Sequence, residues 1–279
     1  MNAGYRTIVR KLLGAVAVVG TLAVTGCASV NTTQSGTVGV QRTQYMSSMV
    51  PEKELEQEAG QQYSELIQQA KAQNALDRDA AQVSRVRAIS QRLIAQVGAF
   101  RPDAANWDWE VHVLSSSDVN AWCMPGGKMA VYTGLLTQIK PTDAELAAVM
   151  GHEISHALRE HARERMSQQM VTNVGLSVLA IATGVSTDLG SKLTDVMFTL
   201  PNSRTHESEA DMMGVELAAR AGYDPRAAVT LWQKMGSAGG GAPPEFLSTH
   251  PSADTRISEL QVASERVLPL YEQAKKGKK

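Results

Sequence analysis

The sequence feature that most constrains this fold is the run His152-Glu153-Ile154-Ser155-His156. Positions four apart share one face of an α-helix, so a helix lets both imidazoles point at a single ion. Glu153 lies about 100° around the same helix, where it can reach a water on that ion without being a ligand. Thr142 and Glu145 form a capping box that starts the helix. We therefore predict a helix over about 142–170 with one metal-binding face.

A catalytic zinc ion usually takes three protein ligands and leaves a fourth position for water. A second predicted helix spans 203–221, and on it Glu207 and Asp211 share a face. This spacing favours Glu207 as the third ligand over Glu209, which points elsewhere. Asp211 is expected to accept the ring N–H of a ligand histidine, most simply His152. For the one Zn²⁺ ion per chain, the predicted ligands are His152, His156 and Glu207.

Four other polar residues are not predicted to bind the metal ion. His161 lies five residues after His156, so it points about 140° away and is expected at the surface. His112 and His206 are interpreted as ordinary polar residues. Arg204 either stabilises an oxyanion or pairs with a carboxylate for structural reasons, and we favour the structural role.

The composition predicts an α+β fold that is mostly helical. Hydrophobic residues make up 43% of the chain and aromatic residues only 5%, which favours helices over an all-β sandwich. Alternation over 107–114 predicts a strand, and two more short strands are expected at 119–123 and 128–133. They should form a small antiparallel sheet beside the active-site helix, with Cys123 as a packing residue. The other predicted helices start near 51, 79, 227 and 254.

The first 50 residues differ from the remainder. Three basic residues and an apolar stretch precede Val24-Thr25-Gly26-Cys27, which resembles a bacterial lipobox. We predict a lipoprotein signal peptide over 1–26 and lipid attachment at Cys27; a plain signal peptide with an incidental cysteine is the alternative. Ala28 suggests outer-membrane anchoring with the body facing the periplasm. Residues 27–50 are expected to be a flexible tether, and 51–279 the folded domain.

Several motifs together resemble one enzyme family. Besides the two histidines, they are Ser203-Arg204 with Glu207, Glu209 and Asp211; Asn120-Ala121-Trp122 with Pro125-Gly126-Gly127; Val131 to Leu135; and His250-Pro251-Ser252 with Arg256-Ile257. They cover about 80–260. The chain is similar to the HtpX-like and CAAX-prenyl-protease-like zinc metallopeptidases, most of all to their soluble periplasmic lipoprotein members. The resemblance implies a gluzincin-type fold with Glu207 on zinc and Asp211 behind the ligands.

The resemblance also implies how substrate is held. Its substrate-binding strand maps to Asn120, Ala121, Trp122, Gly126 and Gly127. A polypeptide would add to an exposed sheet edge there, a mode that reads chain extension more than side chains.

His250 is open to more than one interpretation. The resemblance implies that it approaches the zinc, either as a reversible fourth ligand or as a proton donor to the reaction intermediate. The glycines at 239–241 could let it swing. The ordinary alternative is a helix-start histidine hydrogen-bonded by the turn at 251–252.

The predicted function is zinc-dependent endopeptidase action on misfolded or unassembled envelope proteins. Zinc lowers the pKa of bound water, and Glu153 takes its proton and passes it to the leaving amine. One alternative is an assembly factor or chaperone that holds outer-membrane polypeptides, with proteolysis secondary or latched by His250. A closed, purely structural metal site is another. Expected partners are unfolded polypeptides, the outer membrane through the lipid anchor, and the β-barrel assembly machinery. The net charge of −1 gives no basic field for nucleic acid.

Overall fold

A computed structural model of the chain describes residues 27–177, 189–237, 244–251 and 255–277. The helices of these ranges are α1 (Glu52–Ala72), α2 (Ala80–Ile94), α3 (Asp143–Leu158), α4 (His161–Ser177), α5 (Leu189–Thr194), α6 (Arg204–Arg220), α7 (Ala227–Ser237), α8 (Glu245–Thr249) and α9 (Arg256–Lys276). The strands are β1 (Cys27–Val30), β2 (Gln44–Ser47), β3 (Glu110–Leu114), β4 (Ala121–Met124) and β5 (Lys128–Tyr132). The predicted α+β fold, mostly helical, is confirmed.

The three-stranded sheet has the order β3-β5-β4. The β4–β5 pair is antiparallel, as predicted, and is joined by the turn at Gly126 and Gly127, whose φ angles of +77° and +86° suit glycine. The prediction of a wholly antiparallel sheet is wrong, because β3 pairs with β5 in parallel. Strand β3 lies against β5 rather than against β4, its neighbour in the sequence. Strand β4 is therefore left at the sheet edge.

Both faces of strand β4 are buried, and the strand packs against the active-site helix α3. Ala121 and Cys123 belong to the larger hydrophobic core, which includes residues of α2, α3, α6, α7 and α9. Trp122 and Met124 belong to a second core formed with α1, α4 and α5. Burial raises the pKa of the Cys123 thiol, which agrees with its predicted packing role.

The capping box at the start of α3 is present. The Thr142 hydroxyl accepts from the backbone N–H of Glu145, and the Glu145 carboxylate accepts from the N–H of Thr142. The same carboxylate also accepts from Lys234 on α7 at 2.6 Å. Helix α3 is thus fixed at its first turn both locally and by tertiary contact.

The prediction of one helix over 142–170 is wrong at a single point. Helix α3 ends at Leu158 and α4 begins at His161. Between them Glu160 takes a left-handed conformation with φ +52°, which ends one helix and redirects the next. The apolar segment at 171–185 is helical to Ser177, and the rest of it falls outside the described residues. Within the described ranges, no helix has both the length and the apolar character needed to cross a membrane.

The N-terminal segment is not a flexible tether. Strands β1 and β2 pair antiparallel, and Val38, Val40 and Met46 are buried. The prediction rested on a composition poor in charge, but the apolar side chains in this composition find partners in the core. Residues 1–26, the predicted signal peptide, lie outside the described residues, and lipid attachment at Cys27 stays a prediction.

Candidate metal centre and active site

Helix α3 presents His152 and His156 on one face, four residues apart. Both side chains are buried, and their Nε2 atoms lie 3.0 Å from each other. Burial lowers the pKa of His156, which favours the neutral imidazole that binds metal ions. The helical spacing therefore does what the sequence indicated: it makes two ring nitrogens converge.

Helix α6 brings Glu207 to the same point. The Ser203 hydroxyl caps this helix by accepting from the N–H of His206, which leaves Glu207 in the first turn. One Glu207 oxygen lies 3.3 Å from Nε2 of His156 and the other 3.6 Å from Nε2 of His152. The structure thus brings together the three residues that were predicted as ligands.

Asp211 lies behind His152, as predicted. The Nδ1–H of His152 donates to Asp211 at 2.9 Å, so Nε2 is left with its lone pair toward Glu207. Arg256, at the start of α9, donates to Asp211 through Nε at 2.6 Å and Nη2 at 2.7 Å. Burial opposes ionisation of Asp211, but Arg256 and His152 hold its pKa below the usual range. The carboxylate therefore fixes the tautomer of His152.

Sequence reasoning missed the role of Arg256. Its Nη1 also lies 3.0 Å from Glu207, and its guanidinium stacks 3.4 Å from the centre of the Trp232 ring. One arginine thus holds both acidic residues of α6 that face the histidines. In the sequence Arg256 was noted only as part of a motif shared with the family, and no spacing argument linked Arg256 to Glu207.

Glu153 is a buried carboxylate beside the two histidines. Its Oε1 has no hydrogen-bond partner among the described residues and lies 3.4 Å from Nε2 of His250. Burial, reinforced by the negative charge of Glu207, raises the pKa of Glu153 well above its usual value. The group is therefore placed beside the predicted ligands, where a proton-exchanging carboxyl would be needed.

His250 follows α8 and faces the same point from the opposite side. Its Nδ1–H donates to the Phe246 carbonyl at 3.1 Å, and its ring stacks on Phe246 with centres 4.2 Å apart. Its Nε2 is therefore free to accept or ligate, and burial lowers its pKa. The glycines at 239–241 and the turn residue Ser252 lie outside the described residues.

The donor set fits a zinc ion. His152, His156, Glu207 and His250 each offer one atom, and these atoms lie within 4.8 Å of one another. Both oxygens of Glu207 are buried, and neither accepts a hydrogen bond within the described residues; Oε2 pairs with Nη1 of Arg256 at 3.0 Å, whereas Oε1 faces Nε2 of His156 at 3.3 Å. A buried carboxylate oxygen that faces an imidazole lone pair is costly unless a cation joins them. Nitrogen and carboxylate ligands in this number are those of zinc.

A cleft leads to Glu153, His156 and His250, which form part of its lining. One wall is formed by Asn120, Ala121 and Trp122 of the predicted substrate strand. The opposite wall includes Val196 and Phe198, and Phe198 meets the Trp122 ring edge-on at 5.4 Å. Gly126 and Gly127 lie in the β4–β5 turn and are not among the residues that line this cleft, and their role in substrate binding stays a prediction.

His161, expected at the surface, and His206, interpreted as an ordinary polar residue, are both buried beside the ligands. His161 points its Nδ1 to Nδ1 of His156 at 2.8 Å, and its Nε2–H donates to Glu209 at 3.0 Å. The predicted direction of His161 assumed a continuous helix, and the left-handed Glu160 invalidates that geometry. His206 is also buried, stacked on His161 with ring centres 4.3 Å apart.

The remaining predicted residues lie away from the ligands. Arg204 is exposed at the start of α6, and no role at the site is visible for it. The Nδ1 of His112 lies 2.7 Å from Asp77 on the far side of the sheet, in keeping with an ordinary polar residue.

The fold and the site together define a metallopeptidase. The family model described as "Peptidase family M48" matches residues 80–264, and the chain therefore belongs to this family. The predicted class, a metalloendopeptidase, and the predicted zinc cofactor are confirmed at the level of the family.

Named relatives share this family likeness. Mitochondrial metalloendopeptidase OMA1 of Arabidopsis thaliana is 41% identical over 172 residues, covering 61% of this chain and 35% of that protein. The mitochondrial metalloendopeptidase OMA1 of Bos taurus is 37% identical over 223 residues, covering 75% of this chain and 41% of that protein. Beta-barrel assembly-enhancing protease of Escherichia coli K12 is 25% identical over 205 residues, covering 68% and 40%. The chain spans less than half the length of these relatives.

The predicted location at the outer membrane, facing the periplasm, is wrong. The relatives with 32% to 41% identity are mitochondrial metalloendopeptidases from a plant, animals and fungi. The prediction depended on the first 28 residues, whose basic start, apolar stretch, Cys27 and Ala28 resemble a lipoprotein leader, whereas the likeness to these relatives extends over more than 170 residues. The expected special likeness to lipid-anchored periplasmic members falls with it.

Proposed function

We propose that this chain is a zinc-dependent metalloendopeptidase that cleaves unfolded or misfolded polypeptide segments. The observation that carries the proposal is the convergence of His152, His156 and Glu207 beside the buried carboxylate of Glu153, whose Oε1 accepts no hydrogen bond within the described residues. A structural site would need no buried acid of this kind next to its ligands.

The residues divide the chemistry among them. His152, His156 and Glu207 would hold the zinc ion, which when bound supplies a Lewis acid that activates water and polarises a carbonyl. Glu153 takes a proton from the attacking water and delivers it to the leaving amine, a role that its buried position beside the ligand histidines supports. Asp211 keeps His152 in the tautomer that presents Nε2.

The cleft favours an extended substrate. Strand β4 is at the edge of the three-stranded sheet, and its residues Ala121 and Trp122 line the cleft. A polypeptide can add to such an edge through main-chain hydrogen bonds only if it is extended. Folded proteins seldom offer free extended segments, so the mode selects unfolded ones.

A second candidate function is holding and assembly of polypeptides with proteolysis latched off. The favouring observation is His250, whose ligand atom lies within the same 4.8 Å group as the three predicted ligands. A relative whose printed name is beta-barrel assembly-enhancing protease combines the two functions in its name. In this chain the β-barrel assembly machinery is a proposed partner only.

The test compares three preparations of the full chain on an unfolded polypeptide: zinc-loaded, chelator-stripped, and zinc-loaded Glu153→Gln. We expect cleavage only in the first, with Glu153→Gln retaining zinc and losing about 10²–10⁴-fold in rate. Glu65→Gln, at an exposed position of α1, is the matched control and should cleave normally. Full cleavage by Glu153→Gln would contradict the proposal, and biological activity retained without cleavage would favour the holding function.

A further inference from the structure

The N-terminal segment, residues 27–50, packs against helices α6 and α9. Its residue Val38 donates its N–H to Glu216 on α6 at 2.8 Å, and Arg266 on α9 donates to the Val38 carbonyl at 2.9 Å. Gly36 lies so close to the Phe100 ring that a Cβ there would be 2.4 Å away. The segment is thus fixed against the folded domain.

The side chain of Arg42, in this segment, points toward two buried carboxylates. Its Nη1 and Nη2 donate to the two oxygens of Glu164 at 2.6 and 2.7 Å, and its Nε donates to Glu209 at 2.7 Å. The Arg42 side chain is 31% exposed, whereas Glu164 and Glu209 are 1% and 5% exposed. Two buried carboxylates from different helices, α4 and α6, therefore share one arginine from outside both helices.

Glu209, held by Arg42, in turn orients a histidine. A carboxylate can only accept, so the Nε2–H of His161 donates to Glu209 at 3.0 Å. Arg159, fully buried, donates to the same carboxylate at 3.2 Å, so that Glu209 is held by two arginines, Arg159 and Arg42. His161 is thereby held in one ring orientation with its Nδ1 turned the other way.

The other ring nitrogen of His161 meets a predicted ligand. Its Nδ1 accepts from the Nδ1–H of His156 at 2.8 Å. His156 is then left with its lone pair on Nε2, the atom that faces Glu207 and His152. A ligand histidine is commonly oriented in this way by a partner on its other nitrogen.

The two histidines are thus held by separate devices. His152 is held directly by Asp211, whose arginine partner comes from the C-terminal helix α9. His156 is held through His161 and Glu209, whose arginine partner comes from the N-terminal segment. We propose that Arg42 is a positioning residue for His156, acting through Glu209 and His161, so that residues 27–50 are part of the metal centre's support. This inference rests on the proposed zinc site.

The test measures the metal rather than turnover. In the full chain, Arg42→Met is compared with wild type for zinc affinity, by competition with a chelating dye, and for the visible spectrum of the cobalt(II) form. We expect zinc affinity to fall about 10–100-fold and the cobalt bands to shift, because His156 loses its fixed orientation. Arg42→Lys keeps the positive charge but loses the forked guanidinium, so its zinc affinity should lie between those of wild type and Arg42→Met.

Arg266→Met is the matched control, because it loosens the same segment at Val38 without contacting Glu164 or Glu209. It should keep wild-type zinc affinity and spectrum. Wild-type values in folded Arg42→Met, or an equal loss in Arg266→Met, would overturn the inference. If Arg42→Met does not fold, Arg42→Lys decides in the same way. His156→Ala separates the two proposals, since zinc binding unchanged by that substitution would refute the proposed site itself.

Discussion

Gly151 of α3 and Gly214 of α6 lie back to back where the two site helices cross. A Cβ on Gly214 would be 2.7 Å from the backbone nitrogen of His152, and a Cβ on Gly151 would be 2.8 Å from the Gly214 carbonyl oxygen. Both obstacles are backbone atoms, which cannot rotate away. The absence of two side chains therefore sets how closely Glu207 and Asp211 approach the histidines.

Gly214→Ala should consequently damage both stability and metal binding. The added methyl group forces α3 and α6 apart, and we expect a loss of about 1–3 kcal/mol in the free energy of unfolding. Zinc affinity should fall as well, because the ligands come from both helices. Urea denaturation and a zinc titration measure the two effects.

Gly60→Ala is the control for Gly214→Ala. Gly60 lies inside α1 with nothing within 4 Å of its would-be Cβ, so alanine should stabilise the helix by up to about 1 kcal/mol. A Gly214→Ala protein with unchanged stability and zinc affinity would show that the crossing has room to adjust.

Arg256→Met should destabilise the fold and weaken zinc binding together. The substitution leaves Asp211 buried without its cation, a loss of about 3–5 kcal/mol in the free energy of unfolding. It also frees His152, so zinc affinity should drop about 10–100-fold. Calorimetry and dye competition are the measurements, with Arg226→Met at an exposed ion pair as the control. If Arg256→Met and Arg226→Met changed stability and zinc affinity equally, Arg256 would form an ordinary surface ion pair and would not support the site.

His250→Ala should raise the rate of peptide cleavage. His250 presents Nε2 to the site with its Nδ1–H already donated to Phe246, an arrangement suited to a closing ligand. If the open state is populated at about 0.1–10%, removing the latch should speed cleavage by at least about tenfold. Initial rates on an unfolded polypeptide, with zinc content checked, provide the readout. A fall in rate at unchanged zinc content would identify His250 as a proton donor instead.

Stability should decline in acid because of Glu164. Burial opposes its ionisation, but hydrogen bonds from Arg42, His206 and Gln44 hold its pKa below the ordinary value. The unfolded chain therefore binds this proton more tightly, so the contribution is complete above about pH 5 and is lost as the pH falls below the ordinary glutamate pKa of about 4.3. Urea midpoints from pH 7 to pH 3 should fall less steeply in Glu164→Gln than in wild type. Parallel slopes would mean that Glu164 contributes no such linkage.

Local sequence patterns predicted what depends on neighbours along the chain. The spacing of His152 and His156 and the capping box at Thr142 are properties of one helix, and both are present. The spacing of Glu207 and Asp211 likewise placed two acids on one face. The prediction of an exposed His161 failed because one residue redirects the backbone. Glu160 follows α3 in a left-handed conformation and turns His161 inward.

The sequence by itself determined the helical faces, the chemistry they carry and the class of metal they suit, because helical periodicity and side-chain type are local. Only the tertiary structure decided which partners complete them. Arg42, Arg256 and Glu209 meet the histidines across separations of many residues, and no periodicity relates such positions. The N-terminal segment found its place in the same way, since burial of its valines depends on surfaces that other elements supply.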